Sequence, residues 1–276
     1  MITDNKIGSS IYAYLFIILI TGLSFLPTIY MVDLSFRNPV SSFSPTLIAG
    51  HPTLSNYQTV LQNPAFLHYF FNSVIVSLSS VALTLAFSVL CGFAISRLRI
   101  WGHHLVFYLI LAGLMIPLAG LIVPLTITLK SMNLLNNYFG LIGPYTAIGS
   151  AFGLLVIKGA MDNFPLELEE AAVLDGATPG RVLLQVIVPT IRPSLLVVAI
   201  WQFLYAWNEF FLALVVMTNP PMKTVPLMPL QFQGPYLTDP GALFAVLTLI
   251  SVVPMGVYAA LQRWFVGGLM SGSIKG

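Results

Sequence analysis

The chain has 276 residues, 57% of them hydrophobic and only 7% charged, with a formal net charge of +2 and a mean hydropathy of +0.91. A soluble domain carries roughly 25% charged residues, so this chain cannot cover itself with a polar surface and its solvent must be largely lipid. The near-neutral charge argues against a nucleic-acid partner, and a single cysteine, Cys91, excludes an intrachain disulfide.

A helix needs about 20 mostly apolar residues to cross roughly 30 Å of hydrocarbon. Residues 1–10 are short, polar and mixed in charge. The apolar stretch after them has no small-residue cleavage site, which predicts a retained span over 11–32. Further spans are expected at 70–95, 105–129, 139–157, 194–217 and 242–261. The runs are continuous and do not alternate with period two, so transmembrane strands are excluded. The expected fold class is all-α: a polytopic membrane protein with six transmembrane helices in one domain, 1–276.

Within these spans, Cys91 reads as a small buried side chain, and Pro117 and Pro124 as kinks in the third span. Gly149 and Gly153 fit close helix packing. Lys and Arg orient the set. With the N-terminus inside, Lys6, Arg97, Arg99, Lys158, Arg181, Arg192, Arg263 and Lys275 are cytoplasmic and only Arg37, Lys130 and Lys223 external. Both termini are then expected in the cytoplasm.

The loop at 158–193 holds Asp162, Glu167, Glu169, Glu170 and Asp175, five of the nine acidic residues, and is where a soluble partner would dock. Pro165 suits the first position of a helix, with the glutamates in its opening turns against the positive end of the dipole. Gly176 can end that helix in the left-handed conformation. Thr178 and Pro179 can start a second helix, and Pro189 and Pro193 should stop it. On the first helix Glu167, Glu170, Ala171 and Leu174 share a face, and Ala171 and Ala172 let another surface approach closely. From these residues alone, the acids serve equally well to satisfy the dipole and solubilise the loop.

The spacing Glu170-Ala171-Ala172, then Gly176, then Ile187-x-Pro189 resembles the EAA loop of binding-protein-dependent ABC importers, with Val188 where leucine is usual. Residues 137–145, 175–180, 206–210 and 267–276 extend the resemblance over nearly the whole chain, toward the second permease subunit of maltose-type carbohydrate importers. The resemblance implies a type I ABC importer permease fold in a bacterial or archaeal cytoplasmic membrane. It implies a heterodimer with a second permease subunit, two ATPase subunits holding ATP and Mg, and an extracytoplasmic sugar-binding protein. Glu167, Glu170, Ala171, Ala172, Asp175 and Gly176 become the ATPase-coupling residues. The tail residues Ser271, Gly272, Ser273 and Lys275 become ATPase contacts, unless they are simply a frayed terminus.

Glu209 is the one ionisable residue deep in an expected span, so it must face protein or water. With Trp207 and Asn208 it suggests a wall of the substrate path; the competing reading is packing and hydrogen bonding toward a partner permease. The external stretch 218–239, with Pro220, Pro221, Pro226, Pro229 and Pro235, reads as an extended surface for the binding protein or as a stiff connector. His103 and His104 lack a third ligand at metal spacing. No glycine-rich phosphate loop occurs, so ATP hydrolysis is expected on another chain and no cofactor on this one. The same machinery importing a non-sugar solute, such as a phosphate ester or polyamine, is the alternative. A secondary transporter would need midplane carboxylates and inverted repeats that the sequence does not offer.

Overall fold

The computed structural model describes residues 4–38, 51–98, 101–234 and 239–271, with side chains from 12 to 262 within those ranges. The helices are α1 (Asp4–Ser35), α2 (Ser55–Gln62), α3 (Pro64–Arg97), α4 (His103–Ala112), α5 (Leu118–Ser131), α6 (Phe139–Asp162) and α7 (Leu166–Leu174). After them come α8 (Pro179–Thr190), α9 (Arg192–Asn208), α10 (Phe211–Val216) and α11 (Pro240–Ser271). Four are long and apolar enough to cross a membrane: Tyr12–Ser35, Pro64–Arg97, Phe139–Asp162 and Pro240–Gln262. Two bent pairs raise the number to six if each counts as one span.

The chain forms two compact units. The first joins residues 1–64 to 229–251. Most of α1 is exposed along its apolar length, including Tyr12, Phe16, Leu19 and Leu23, as befits a helix whose neighbours are lipid or another subunit. Its end is tied down by polar contacts. Arg37, 1% exposed, donates from Nη2 and Nε to Asp33 Oδ2 at 2.6 and 2.8 Å. Asn56 of α2 donates to the carbonyls of Ser35 and Arg37 at 2.8 and 2.7 Å. At the start of α11, Asp239 Oδ1 accepts the N–H of Ala242 at 3.0 Å, filling one of the orphan donors of a helix N-terminus.

The second unit comprises 65–228 and 252–276. Its apolar core is crossed by a seam of small residues. Ser77, Ser80, Thr84, Ser88 and Gly92 line the buried side of α3 at three- and four-residue spacing, and Gly149, Ser150 and Gly153 line that of α6. A side chain at Gly149 would overlap Gln202 Oε1 of α9, and one at Gly153 would overlap Ser88 Oγ. Both glycines therefore lie at the helix contacts that their spacing predicts.

Two expected spans are not continuous helices. The third breaks at Ile116–Pro117, where both residues are extended and the flanking segments His103–Met115 and Leu118–Ser131 meet at 103°. The residue before a proline is pushed out of the helical region, which turns the expected kink into a break. Pro124, by contrast, stays inside α5. The expected fifth span, 194–217, begins at Arg192 and stops at Asn208, with α10 resuming at Phe211.

Pro189 does not end the second loop helix, which runs to Thr190 and turns through 77° into α9. A π-helical stretch, Val182–Ile187, widens the turns just before Pro189, where a regular α-helix would bring the proline ring against the carbonyl four residues back. The proline-rich stretch also departs from the extended form. It makes 3-10 turns at Pro220–Met222 and Val225–Phe232, the first fastened by Asn72 Nδ2 to the carbonyls of Pro221 and Lys223 at 2.7 and 2.9 Å. Pro235 lies outside the described residues.

Gly140, in the first turn of α6, faces the backbone carbonyl of Leu134, and a Cβ there would overlap it while also pressing Val216 Cγ1 at 3.0 Å. Backbone cannot yield as a side-chain tip can. Gly140→Ala should cost about 1–3 kcal/mol. Gly143→Ala, with nothing within 4 Å of the added carbon, should be neutral or gain up to about 1 kcal/mol from helix propensity. Thermal unfolding of the two variants in detergent checks the contrast.

Candidate functional site

The charged loop is built as a helix–turn–helix. Asn163 closes α6 by donating to the carbonyl of Gly159 at 2.8 Å, and Phe164, 5% exposed, plugs the core beneath. Pro165 is the N-cap of α7 with ψ 117°, one position earlier than its expected place inside the helix. Glu167 and Glu169 occupy the first turn.

The far end closes as a Schellman motif. Gly176 N–H bonds the carbonyl of Val173 at 2.9 Å, and Ala177 N–H bonds that of Ala172 at 3.0 Å. Gly176 has φ +83°, the left-handed conformation that the sequence predicts for it. Thr178 then sits at the N-cap of α8, its side chain making no capping bond, with Pro179 first in the helix.

No residue of α7 is buried. Leu166, Glu169, Glu170, Val173 and Leu174 line a shallow groove beside it, Glu169 being turned toward the spans, and Leu174 is 88% exposed. Glu167, Glu170, Ala171, Asp175 and Gly176 are all exposed. Ala172 differs from the expectation: it is half-buried, packed on the cluster of Ile157, Met161, Phe164, Val182, Leu183 and Ile187. Its small side chain lets α7 lie close to its own chain, whereas Ala171 is the alanine that faces outward.

One contact here joins residues far apart in the sequence. Arg97, the last residue of α3, donates to Glu169 from Nε at 2.8 and 2.9 Å and from Nη2 at 2.6 Å. Its Nη2 also reaches the carbonyl of Met161 in the last turn of α6 at 2.6 Å. The two side chains are only 15% and 12% exposed, so the pair is shielded and forked. Beside it Ser96 donates to Asp162 at 2.8 Å, and Lys158 pairs with Asp162 one turn away. The sequence signal for Arg97 was only that of a basic residue at a span end.

The break in the fifth helix is organised by Glu209, 8% exposed and extended at ψ 123°. Its carboxylate accepts the N–H of Leu212 at 2.9 Å and of Ala213 at 3.1 Å, capping α10. Tyr145 of α6 donates its hydroxyl to Glu209 Oε2 at 2.6 Å. The acid thus finds its partners within the chain. Trp207 is fully buried, edge-on to Phe70 at 5.6 Å and stacked on Phe203 at 5.6 Å, and does not present an open aromatic face. Asn208 alone of the three is exposed, donating to the carbonyl of Leu204 at 2.8 Å.

Ser271 is the last described residue of α11, and Gly272, Ser273 and Lys275 lie outside the described residues. His103 and His104 lie with ring centroids 4.0 Å apart, and no group of three or more metal-ligating side chains occurs among the described residues.

Residues 85–270 match the family of binding-protein-dependent transport system inner membrane components. The sulfoquinovosyl glycerol transport system permease protein of Agrobacterium fabrum is 33% identical over 263 residues, 94% of this chain and 91% of its own length. The trehalose/maltose transport system permease protein of Thermococcus litoralis is 31% identical over 262 residues, 94% of each chain. In fold, the chain matches a chain from the crystal structure of a bacterial ABC transporter involved in the import of the acidic polysaccharide alginate. That likeness has a TM-score of 0.83, 19% identity and coverage of 96% of this chain and 99% of the other.

Glu209→Ala would strand the Tyr145 hydroxyl and two buried N–H groups, for an expected loss of about 2–4 kcal/mol. Glu209→Gln keeps an acceptor oxygen and should lose less than half of that. Apparent melting temperatures of the purified variants, ordered wild type above Gln above Ala, check the capping role.

Proposed function

This chain belongs to the family of binding-protein-dependent transport system inner membrane components, the permease part of ABC importers, and on that premise we propose that it is one of two permease subunits of a carbohydrate importer. The observation that carries the mechanism is α7: a nine-residue helix with nothing buried, an apolar outer face and a cap that fixes its end. Such a helix is finished only when another protein covers it.

In this reading α7 seats in a cleft of an ATPase subunit, with Glu167, Glu170, Ala171, Asp175 and Gly176 at the contact and Ala172 setting its closeness to the spans. ATP and Mg bind the two ATPase subunits, and this chain hydrolyses nothing. ATP-driven closure draws the coupling helices together and turns the spans outward; hydrolysis reverses the motion. The loop 158–193 and both termini face the cytoplasm, where the lysines and arginines concentrate. A second, related permease completes the path as a heterodimer, and an extracytoplasmic binding protein delivers the solute.

The cargo class rests on the relatives. The Agrobacterium protein is named for a sugar glycoside and the Thermococcus protein for disaccharides. Asn208 is the exposed polar residue best placed to touch a sugar hydroxyl. Trp207 and Glu209 support the wall of the path from behind. Ser271, Gly272, Ser273 and Lys275 remain proposed ATPase contacts.

Glu170→Ala combined with Gly176→Asp tests the coupling surface. Aspartate at φ +83° costs about 1–2 kcal/mol and removes the cap, while the alanine removes the central acid. ATPase subunits should co-purify with the wild type and be largely lost from the double variant. Equal recovery would overturn the assignment. Mass spectrometry of the solute carried by the co-purified binding protein should find a glycoside or oligosaccharide. A polyamine or simple phosphate ester there would overturn the carbohydrate assignment.

A further inference from the structure

A helix that transmits force must be fastened to what it moves. α7 buries no residue of its own and meets the core only through the half-buried Ala172. Its one multidentate link to the spans is Arg97, which grips Glu169 with three N–O contacts and the Met161 carbonyl with a fourth. One guanidinium thus joins the end of α3, the end of α6 and the first turn of α7. Its planar fork suits this role, because five donors in fixed geometry can serve two acceptors at once.

The spans do not need Arg97 to hold each other. Ser96 bonds Asp162 at 2.8 Å, and α3 and α6 lie so close at Gly92 that a side chain there would touch Ile157 Cγ2 and Met161 Sδ. Removing Arg97 therefore loosens the hold on α7 while keeping these contacts between α3 and α6. Of the glutamates in the first turns, Glu169 is engaged inward, and Glu167 and Glu170 remain exposed for a partner. The duplicated acid Glu169-Glu170 divides its labour: one side chain holds the chain's own spans and the other faces the ATPase.

We propose that Arg97 and Glu169 are positioning residues that lock α7 to α3 and α6, so that displacement of the coupling helix by the ATPase moves the spans as one body. The proposal rests on the coupling reading of α7 given above. It separates two properties that a docking surface alone would merge: seating of the ATPase, which belongs to the outer face, and transmission, which belongs to this pair.

The test uses the full complex, purified through a tag on this chain, with Cys91→Ser and spin labels at Leu168→Cys on α7 and Leu90→Cys on α3, two exposed positions. Pulsed electron resonance measures the label separation in the resting state and after trapping with MgATP and vanadate. With Arg97 present, one narrow separation should persist in both states. In Arg97→Ala and in Glu169→Gln, ATPase subunits should still co-purify within about twofold of wild type, while the trapped separation shifts and broadens relative to rest. The reciprocal exchange, Arg97→Glu with Glu169→Arg, keeps the α3–α7 ion pair though not the bond to the Met161 carbonyl, and should move the separation back toward the common value.

An unchanged separation in Arg97→Ala across both states overturns the proposal. If a single variant fails to assemble, restoration of assembly by the reciprocal exchange supports the lock, and failure of the exchange overturns it. A wild-type complex that carries no ATPase subunits at all would instead overturn the coupling reading, so the two failures are distinguishable.

Discussion

Hydrocarbon offers no hydrogen bond to a backbone that stops being helical, so every interruption at membrane depth must be repaired from inside the protein. The arrangement of the second unit follows from that constraint. At Asn208–Phe210 the repair is an acid: Glu209 supplies the acceptor that two N–H groups of α10 would otherwise lack, and Tyr145 supplies a donor to the acid. At Ile116–Pro117 the repair is local. Ile116 N–H reaches the carbonyl of Gly113 at 3.3 Å, the proline has no N–H to satisfy, and Gly120 N–H returns to the proline carbonyl at 3.0 Å. Each break then turns the chain with part of its freed backbone paired again inside the protein.

The outer face of α7 obeys the opposite rule, since in the proposed function it meets water and a partner. Magnitudes decide what holds such a partner. Full burial of a leucine or valine side chain contributes about 1.5–3 kcal/mol, and Leu166, Val173 and Leu174 all stand more than half exposed on that face. An exposed ion pair contributes about 0–1 kcal/mol. In the proposed complex, apolar contact would therefore supply the affinity, and Glu167 and Glu170 the orientation. The shielded Arg97–Glu169 pair is a different kind of interaction, because neither side chain is open enough for water to compete freely.

What could be read without the structure was whatever is local and repetitive. Long apolar runs marked the membrane-crossing stretches, and the turn chemistry of Gly176, Thr178 and Pro179 marked the end of α7 and the start of α8 within a residue. What could not be read was non-local or compensated. Hydropathy averages over a window, so a two-residue break at Glu209 vanishes inside an apolar run. Pro189 looked like a stop because a regular helix cannot admit it, and nothing in the residues 182–187 announced the wider π turns that do. The partner of Arg97 lies 72 positions away and that of Glu209 lies 64 away, and a single sequence holds no signal for either pairing. For Trp207 the residues left both a binding wall and packing open, and Phe70 and Phe203 cover its ring.

The bond between Tyr145 and Glu209 also carries a direction in time. A chain emerges from the ribosome N-terminus first, and its early segments take up structure before its late ones. Tyr145 belongs to the fourth expected span and Glu209 to the fifth, so the phenol is already in the bilayer when the acid arrives. The donor is therefore synthesised before the carboxylate that needs it. A circular permutation that delivered α9 and α10 ahead of α6 would keep every contact of the finished fold and remove that order of arrival. Biosynthesis, as much as the final geometry, makes an acid at this depth affordable.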